Sequence, residues 1–232
     1  MAYEVVSIKP SSPGGPGTGI KVMPGGQEYR AQSVPLRHMI TLMHWTWSRQ
    51  ITGGPDWLDD RWDIDAKANR SYTLEEHREM FRNLLEDEFK LKLRREVKEG
   101  PVYALMLDRT GSKMKVNEGP EDFELPIRGR PPRVVVGKRV SMQLFCWQLG
   151  VFLEGDKRPV IDKTGLAGYY DFTLSYRPPL PSDPDVEDLP PEMAKLPSLF
   201  DALKRQLGLR LEAQKGPVEY FVVEHVEKPT GN

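Results

Sequence analysis

The sequence predicts an α+β protein built from internally duplicated helix-strand-strand units, with four helices packed on a mostly antiparallel sheet. Residues 84–107 and 202–223 share one pattern, in which an amphipathic helix leads into an L-x-L strand, a turn with Gly-Pro-Val and an apolar strand. A second matched pair, 34–66 and 140–174, lies upstream of these segments. Together these pairs predict four units in the order A-B-A′-B′. Units A and A′ are 34–66 and 140–174, and units B and B′ are 84–107 and 202–223. The boundary between the two copies lies within 109–139.

The predicted domain organisation is a first α+β half at 1–108, a connector at 109–139 and a second α+β half at 140–232. The connector is predicted to be irregular because it is polar and contains glycine. Within the second half, 177–197 holds seven prolines, which predicts a semi-rigid extended linker. Whether the two halves share one hydrophobic core stays open at this stage.

In the first half, the sequence predicts strands at 3–8, 28–34 and 61–67. Four prolines and six glycines in 9–26 predict a loop. A helix is predicted over 34–47, capped by the side chain of Ser33. Its apolar side chains repeat as one helical face: Leu36, Met39, Ile40, Met43 and Trp47.

The second helix of the first half is predicted to begin at a capping box. The Thr73 hydroxyl can accept a bond from the Glu76 N–H, while the Glu76 side chain returns a bond to the Thr73 N–H. The helix extends to about residue 88. A strand at 89–97 alternates apolar and charged residues, and a strand at 102–107 is apolar on both faces, which is typical of a central strand.

The second half is predicted to repeat this succession of helices and strands. The predicted elements are a helix at 141–152, strands at 158–162 and 169–176, a helix capped by Ser198, and strands at 208–214 and 217–226.

The composition excludes several classes of protein. A net charge of −1 over 232 residues gives no electrostatic reason to expect nucleic acid or an anionic membrane as a partner. No run of 18 apolar residues could span a bilayer, and the sequence shows no signal peptide. The single cysteine, Cys146, excludes an intramolecular disulfide and is predicted to be a buried small hydrophobe.

The motif with the sharpest chemical resemblance is Asp162-Lys163-Thr164-Gly165. The same four residues surround the phosphorylated aspartate of P-type ion pumps, where the carboxylate is the nucleophile. Here the motif continues with Leu166, unlike in those pumps, and the chain has no membrane domain. A tight turn between two strands, with a glycine at positive φ, is the favoured interpretation.

Aromatic residues supply the second candidate site. Four of the five tryptophans lie within 18 residues: Trp45, Trp47, Trp57 and Trp62. They predict either core packing or a partly exposed surface for a ligand or partner. The four histidines and Cys146 show no metal-binding spacing, so neither a metal site nor a cofactor is predicted.

Several motifs, taken in order, resemble the soil-associated protein family, a domain of unknown function expanded in some soil bacteria. They are Glu4–Pro10, Gln50–Leu58, Arg158–Leu166, Tyr170–Leu174 and Lys215–Val218. The resemblance implies an exported protein, because relatives usually carry a leader, although this sequence begins directly at the domain. Some relatives carry the domain after a membrane-bound metallopeptidase similar to the β-lactam-sensing antirepressors. That activity does not transfer, because this chain lacks the peptidase motif, and the family has no established catalytic residues.

The sequence therefore predicts a periplasmic or secreted module that binds a small-molecule ligand or another protein, without catalysis. The residues predicted to bind are Trp57, Trp62, Asp162, Lys163, Thr164 and Tyr170. Two alternatives stay open. One is a hydrolase that uses Asp162 or another carboxylate, and the other is a structural component of the cell envelope.

Overall fold

A computed structural model describes residues 1–12, 19–23, 25–121, 126–130, 134–153, 156–177 and 195–229. These residues contain four α-helices and twelve strands in mostly antiparallel sheets, which confirms the α+β class. The helices are α1 (Leu36–His44), α2 (Leu74–Glu88), α3 (Met142–Phe152) and α4 (Leu199–Ala202). The strands are β1 (Val5–Pro10), β2 (Gly19–Val22), β3 (Glu28–Pro35), β4 (Ile51–Gly53), β5 (Arg61–Lys67), β6 (Lys92–Leu107), β7 (Lys115–Val116), β8 (Ile127–Arg130), β9 (Val134–Ser141), β10 (Val160–Asp162), β11 (Tyr169–Ser175) and β12 (Leu209–His225).

The chain forms two compact units that interleave along the sequence. The first comprises Met1–Lys98 with Glu121–Glu124 and Glu219–Asn232, and the second comprises Glu99–Pro120 with Leu125–Val218. Strands β6 and β12 contribute one end to each unit. The predicted division into consecutive halves stays a prediction, because compactness alone does not test which segments fold independently.

The first unit contains an antiparallel sheet of order β1-β5-β3-β2, together with α1 and α2. Strand β4 pairs in parallel with the end of β12, where Ile51 lies opposite Phe221. The core of this unit combines the buried faces of both helices with the inward residues of the strands. Among its largest fully buried side chains are Leu36, Met39, Ile64, Phe81 and Phe89.

The second unit contains an antiparallel sheet of order β7-β11-β9-β8, together with α3 and α4. Strand β10 pairs in parallel with β6, where Val160 lies opposite Tyr103. Its core has its own cluster of buried side chains, centred on α3 and on β11. Phe145 and Phe172 pack there with their ring centroids 4.7 Å apart.

The capping box of α2 is confirmed. The Thr73 hydroxyl accepts a 3.2 Å bond from the Glu76 N–H, and the Glu76 carboxylate accepts a 2.8 Å bond from the Thr73 N–H. These bonds satisfy backbone donors that have no partner inside the helix. The predicted start and end of α2 therefore agree closely with the observed Leu74–Glu88.

The prediction for α1 was wrong at both ends. The helix begins at Leu36 without a side-chain cap, because Ser33 takes φ of +51° and its N–H donates to Asp63 instead. It ends at His44, because Trp45 takes a left-handed conformation with φ of 49°. A residue in that conformation turns the chain out of the helix and is a common helix terminus.

The predicted turns at Gly-Pro-Val are also wrong. β6 continues through Gly100-Pro101 and β12 continues through Gly216-Pro217 as single strands of 16 and 17 residues. Proline removes one backbone donor, but its φ near −65° is compatible with extended backbone. Each pair of predicted strands is therefore one long strand.

Two segments predicted to be irregular contain strands. The connector includes β7, β8 and the start of β9, and the loop predicted at 9–26 includes β2. Strands β2, β7 and β8 are short, and pairing with β3, β11 and β9 respectively stabilises them rather than their own hydrophobic pattern. Most of the linker predicted at 177–197 lies outside the described residues, which resume at Lys195.

Candidate functional site

The first unit contains a pocket of about 140 Å³ between the C-terminal end of α1, the middle of α2 and the strands β6 and β12. Its apolar lining comprises Ile40, Met43, Leu85, Leu91, Leu93 and Phe221. Its polar lining comprises His44, Arg82, Glu86 and Arg95. An apolar cavity with a few polar groups at its wall is the usual form of a small-molecule site.

The end of α1 positions the polar part of this pocket. The last carbonyl groups of a helix lack intrahelical partners, and side chains from α2 supply them here. The Met43 carbonyl accepts a 2.8 Å bond from Arg78 Nη1 and a long 3.5 Å contact from Arg82 Nη2. Two guanidinium groups thus approach the negative end of the α1 dipole.

Arg82 is half-buried, and its guanidinium is only partly satisfied. Its Nε atom is buried and has no hydrogen-bond partner among the described residues. Buried donors are almost always hydrogen-bonded in folded proteins, so this unpaired donor has a cost in stability. The guanidinium of Arg82 also lines the pocket, and a cationic donor there favours an anionic acceptor on a ligand.

His44 closes the pocket beside Arg82. Its ring packs against Phe221 with 4.5 Å between the ring centroids. Burial, and to a smaller extent the charges of Arg82 and Arg78, lower the pKa of His44 to about 4. The imidazole is therefore neutral near pH 7 and can both donate and accept a hydrogen bond.

The two remaining charged groups lie at the mouth of the pocket. Arg95 is exposed and forms an ion pair with Glu219, while Glu86 is exposed one helical turn beyond Arg82. Exposed charges are screened by water and contribute less than a half-buried one. Arg82 is therefore the charge with the strongest influence inside the pocket.

The predicted aromatic surface separates into one core residue and one surface residue. Trp62 is only 4% exposed and packs edge-on against Phe89, because the alternation of β5 turns its side chain toward the core. Trp57 is half-buried in a short 3₁₀ turn, Asp56–Asp59, with the Lys228 ammonium 5.5 Å from its ring centroid. Trp57 alone of these two can present a ring to a partner.

The motif at Asp162 forms the predicted tight turn. The Asp162 carboxylate accepts bonds from the N–H and the hydroxyl of Thr164, at 2.8 and 2.7 Å. The Thr164 hydroxyl in turn accepts a 3.1 Å bond from the Leu166 N–H. Gly165 and Gly168 have φ of +70° and +87°, the conformation that glycine adopts most readily.

The structure brings Tyr170 to the same turn, where its hydroxyl donates a 3.0 Å bond to the Ala167 carbonyl. Tyr170 is buried, whereas Asp162 and Lys163 are exposed. Asp162, Thr164 and Tyr170 therefore share one turn of the second unit, and their bonds serve the turn itself. The two predicted tryptophans belong to the first unit.

The remaining sequence predictions concern Cys146, metal ligands and membrane-spanning helices. Cys146 is buried, as predicted, and burial raises the pKa of its thiol. Within the described residues, no group of three or more His, Cys, Asp or Glu side chains is placed to hold a metal ion. None of the helices in that part of the chain is long and apolar enough to cross a bilayer.

Residues 37–226 match the protein family described as "Protein of unknown function (DUF3738)". The chain belongs to this family. The expected domain of unknown function is thereby confirmed, and the matched range includes every residue that lines the pocket. Comparison of this DUF3738 chain with curated proteins and with solved structures gave no match.

The pocket residues of the DUF3738 chain were not predicted from sequence. His44 and Arg82 are far apart in the chain and meet only because α1 packs near α2. One signal was available: Arg78 and Arg82 are spaced i, i+4 beside the buried residues Phe81 and Leu85. Arginine and lysine side chains at the border of a buried helical face often extend over neighbouring apolar surface.

Proposed function

We propose that the protein is an extracytoplasmic binding module, and that the pocket of its first unit holds a small ligand or a segment of another protein. The observation that supports this proposal is a pocket whose wall combines six apolar residues with the half-buried guanidinium of Arg82. A guanidinium at the wall of a pocket can donate hydrogen bonds to an acceptor on a ligand. The protein thus acts by binding rather than by catalysis.

The extracytoplasmic location has separate support. It rests on the motifs that resemble the soil-associated proteins, such as Gln50–Leu58 and Arg158–Leu166, because relatives of that family usually carry a leader. A protein that acts outside the cytoplasm of a soil bacterium meets both free small molecules and other envelope proteins. Either type of partner is compatible with the pocket.

We further infer that the segment from β3 to β6 and the segment from β9 to β12 are copies of one ancestral segment. Each contains elements in the order β-α-β-β-α-β. Both also use one aspartate in the same way. Asp63 accepts from the N–H of Ser33 and Asp171 accepts from the N–H of Arg139, each at 2.8 Å and each to a residue with φ near +50°.

A pocket-filling substitution tests the proposed site. In Leu93→Trp, the larger side chain occupies space at the wall of the pocket without changing its charge. We expect a defined set of small fragments, including acids, amines and neutral compounds, to shift the amide NMR signals around His44 and Phe221 in the wild type. The same fragments should leave those signals unchanged in the variant.

Val97→Trp is the matched control, because Val97 is exposed on the same strand and does not line the pocket. It should bind the fragments as the wild type does. The proposed site is wrong if no fragment shifts the pocket signals of the wild type. It is equally wrong if Leu93→Trp and the wild type respond alike.

A further inference from the structure

We propose that the pocket of the first unit recognises the carboxylate of a ligand whose remaining part is short and apolar, with Arg82 as the main donor. This inference rests on the proposed function and specifies the class of ligand. The shared chemistry covers two sources, a free aliphatic acid and the C-terminal residue of a peptide with an apolar side chain.

The state of Arg82 supports the anionic part of the ligand. Its buried Nε has no partner among the described residues, and its Nη2 reaches the Met43 carbonyl only at 3.5 Å. The guanidinium of Arg82 lines the pocket, where its Nη groups can donate to a carboxylate in the two-bond geometry that guanidinium groups favour. Glu86, on the same face of α2, forms no ion pair with Arg82 in the described part of the structure.

The surroundings of Arg82 add to its preference for an anion. The second guanidinium at the end of α1, that of Arg78, also lies close enough to lower the pKa of His44. Two guanidinium groups therefore lie at this end of the pocket, although Arg78 is paired with Glu75. Neutral His44 can donate one further hydrogen bond to a carboxylate oxygen.

The rest of the pocket determines the size and polarity of the part of the ligand beyond its carboxylate. Its apolar lining residues have aliphatic side chains, with the exception of Phe221. A volume of about 140 Å³ suits a chain of a few carbons rather than a large ring system. Burial of each methylene group contributes roughly 0.8 kcal/mol, so a short chain adds useful affinity to that of the charged head.

The test compares ligands that differ only in charge. Hexanoate and hexanamide are titrated into the full chain by NMR, followed by a tripeptide ending in leucine with a free carboxylate and the same tripeptide as its C-terminal amide. We expect hexanoate to bind about tenfold or more tightly than hexanamide, because charge-assisted bonds to a guanidinium are stronger than neutral ones. If the peptide acid binds more tightly than hexanoate, the source is a peptide, and the reverse order indicates a free acid.

Three variants test whether Arg82 causes the preference for hexanoate over hexanamide. Arg82→Met retains an apolar stem without donors and should weaken hexanoate binding by about tenfold or more, with hexanamide unaffected. Glu86→Gln removes a like charge at the mouth and should strengthen hexanoate binding. Arg49→Met, at an exposed arginine outside the pocket, should leave both affinities unchanged. If Arg82→Met does not fold, Arg82→Lys keeps the charge without the paired donors of the guanidinium and should still weaken hexanoate binding.

A failure of carboxylate recognition and a failure of the proposed binding site give different experimental results. Equal affinity for hexanoate and hexanamide, with both lost in Leu93→Trp, overturns carboxylate recognition and leaves the pocket as a binding site. No binding of hexanoate, or the same affinity in Arg82→Met and Arg82→Lys as in the wild type, overturns the inference directly. No fragment of any kind at the pocket overturns the proposed function as well.

Discussion

The backbone N–H of Ser33 donates a 2.8 Å hydrogen bond to the carboxylate of Asp63, and Ser33 has φ of +51°. Left-handed backbone at a residue other than glycine costs roughly 1 kcal/mol or more and persists only where its surroundings hold it. The Ser11 hydroxyl also donates to Asp63, at 2.6 Å. This carboxylate on β5 therefore connects β3 and the residue that follows β1, close to the start of α1.

Removal of that carboxylate should destabilise the first unit. We expect Asp63→Ala to lower the free energy of unfolding by about 1–3 kcal/mol, because two donors lose their acceptor. Asp65→Ala, two residues away on the same strand, removes only a surface ion pair with Arg30 and should cost less than about 1 kcal/mol. Urea denaturation measures both, and equal losses for the two variants contradict the role given to Asp63.

The stability of the fold should decrease in mild acid because of His77. Its side chain is fully buried, its Nε2 donates a 2.9 Å bond to the Gly26 carbonyl, and its Nδ1 lies 3.1 Å from the Tyr3 hydroxyl. Burial lowers the pKa of His77 below 6.5, so the folded state favours the neutral ring while the unfolded state binds a proton. The stability from this residue is complete above pH 6.5 and is lost as the pH falls from 6.5 through the folded pKa.

Urea unfolding at pH 8, 6.5 and 5.5 checks this dependence. His77→Phe keeps a ring but cannot titrate, so it should show a smaller loss of stability between pH 6.5 and 5.5 than the wild type. His44 titrates with the same sign toward a pKa of about 4, which leaves some slope in the variant. Wild type and variant with identical slopes would falsify the assignment to His77.

Gly208 should tolerate no side chain. It has φ of +68° between the π-helical turn Leu203–Leu207, which follows α4, and β12, and a Cβ there would overlap the backbone carbonyl of Gly111. We expect Gly208→Ala to lower the melting temperature strongly, corresponding to more than about 2 kcal/mol. Gly165→Ala is the control, because Gly165 has φ of +70° with open space around it and should cost only about 1 kcal/mol.

Asp162→Asn separates the binding module from the hydrolase alternative. An asparagine oxygen can still accept from the Thr164 N–H, so the turn and the melting temperature should change little. A screen of ester, phosphate and peptide substrates should detect no turnover that depends on this residue. Turnover by the wild type that disappears in Asp162→Asn is the result that supports a carboxylate-dependent hydrolase instead.

Local signals in the sequence predicted several elements well. The capping box at Thr73 and Glu76 predicted the start of α2, because both hydrogen bonds form within a single turn of the chain. The glycines after Asp162 predicted a turn, since their positive φ is a local property. Neither prediction depends on any distant residue.

Predictions failed where distant residues determine the outcome. Gly100-Pro101 suggested a turn, but the chain continues as one strand because neighbouring strands pair on either side of it. Trp62 was predicted as a candidate surface residue, and the register of β5 turns it toward Phe89. A strand pattern shows that two faces exist, but only strand pairing and helix packing determine which face becomes the core.

The amino-acid sequence alone determined the α+β class, the absence of a disulfide, the helix starting at Leu74 and the turn at Asp162, since each follows from composition or from contacts a few residues apart. Tertiary packing decided the pocket. His44 and Arg82 become neighbours only when α1 and α2 pack together, and the burial that neutralises His44 and leaves Arg82 Nε without a partner exists only in the folded unit. Burial and long-range pairing are properties of the assembled core, and no local stretch of the chain encodes them.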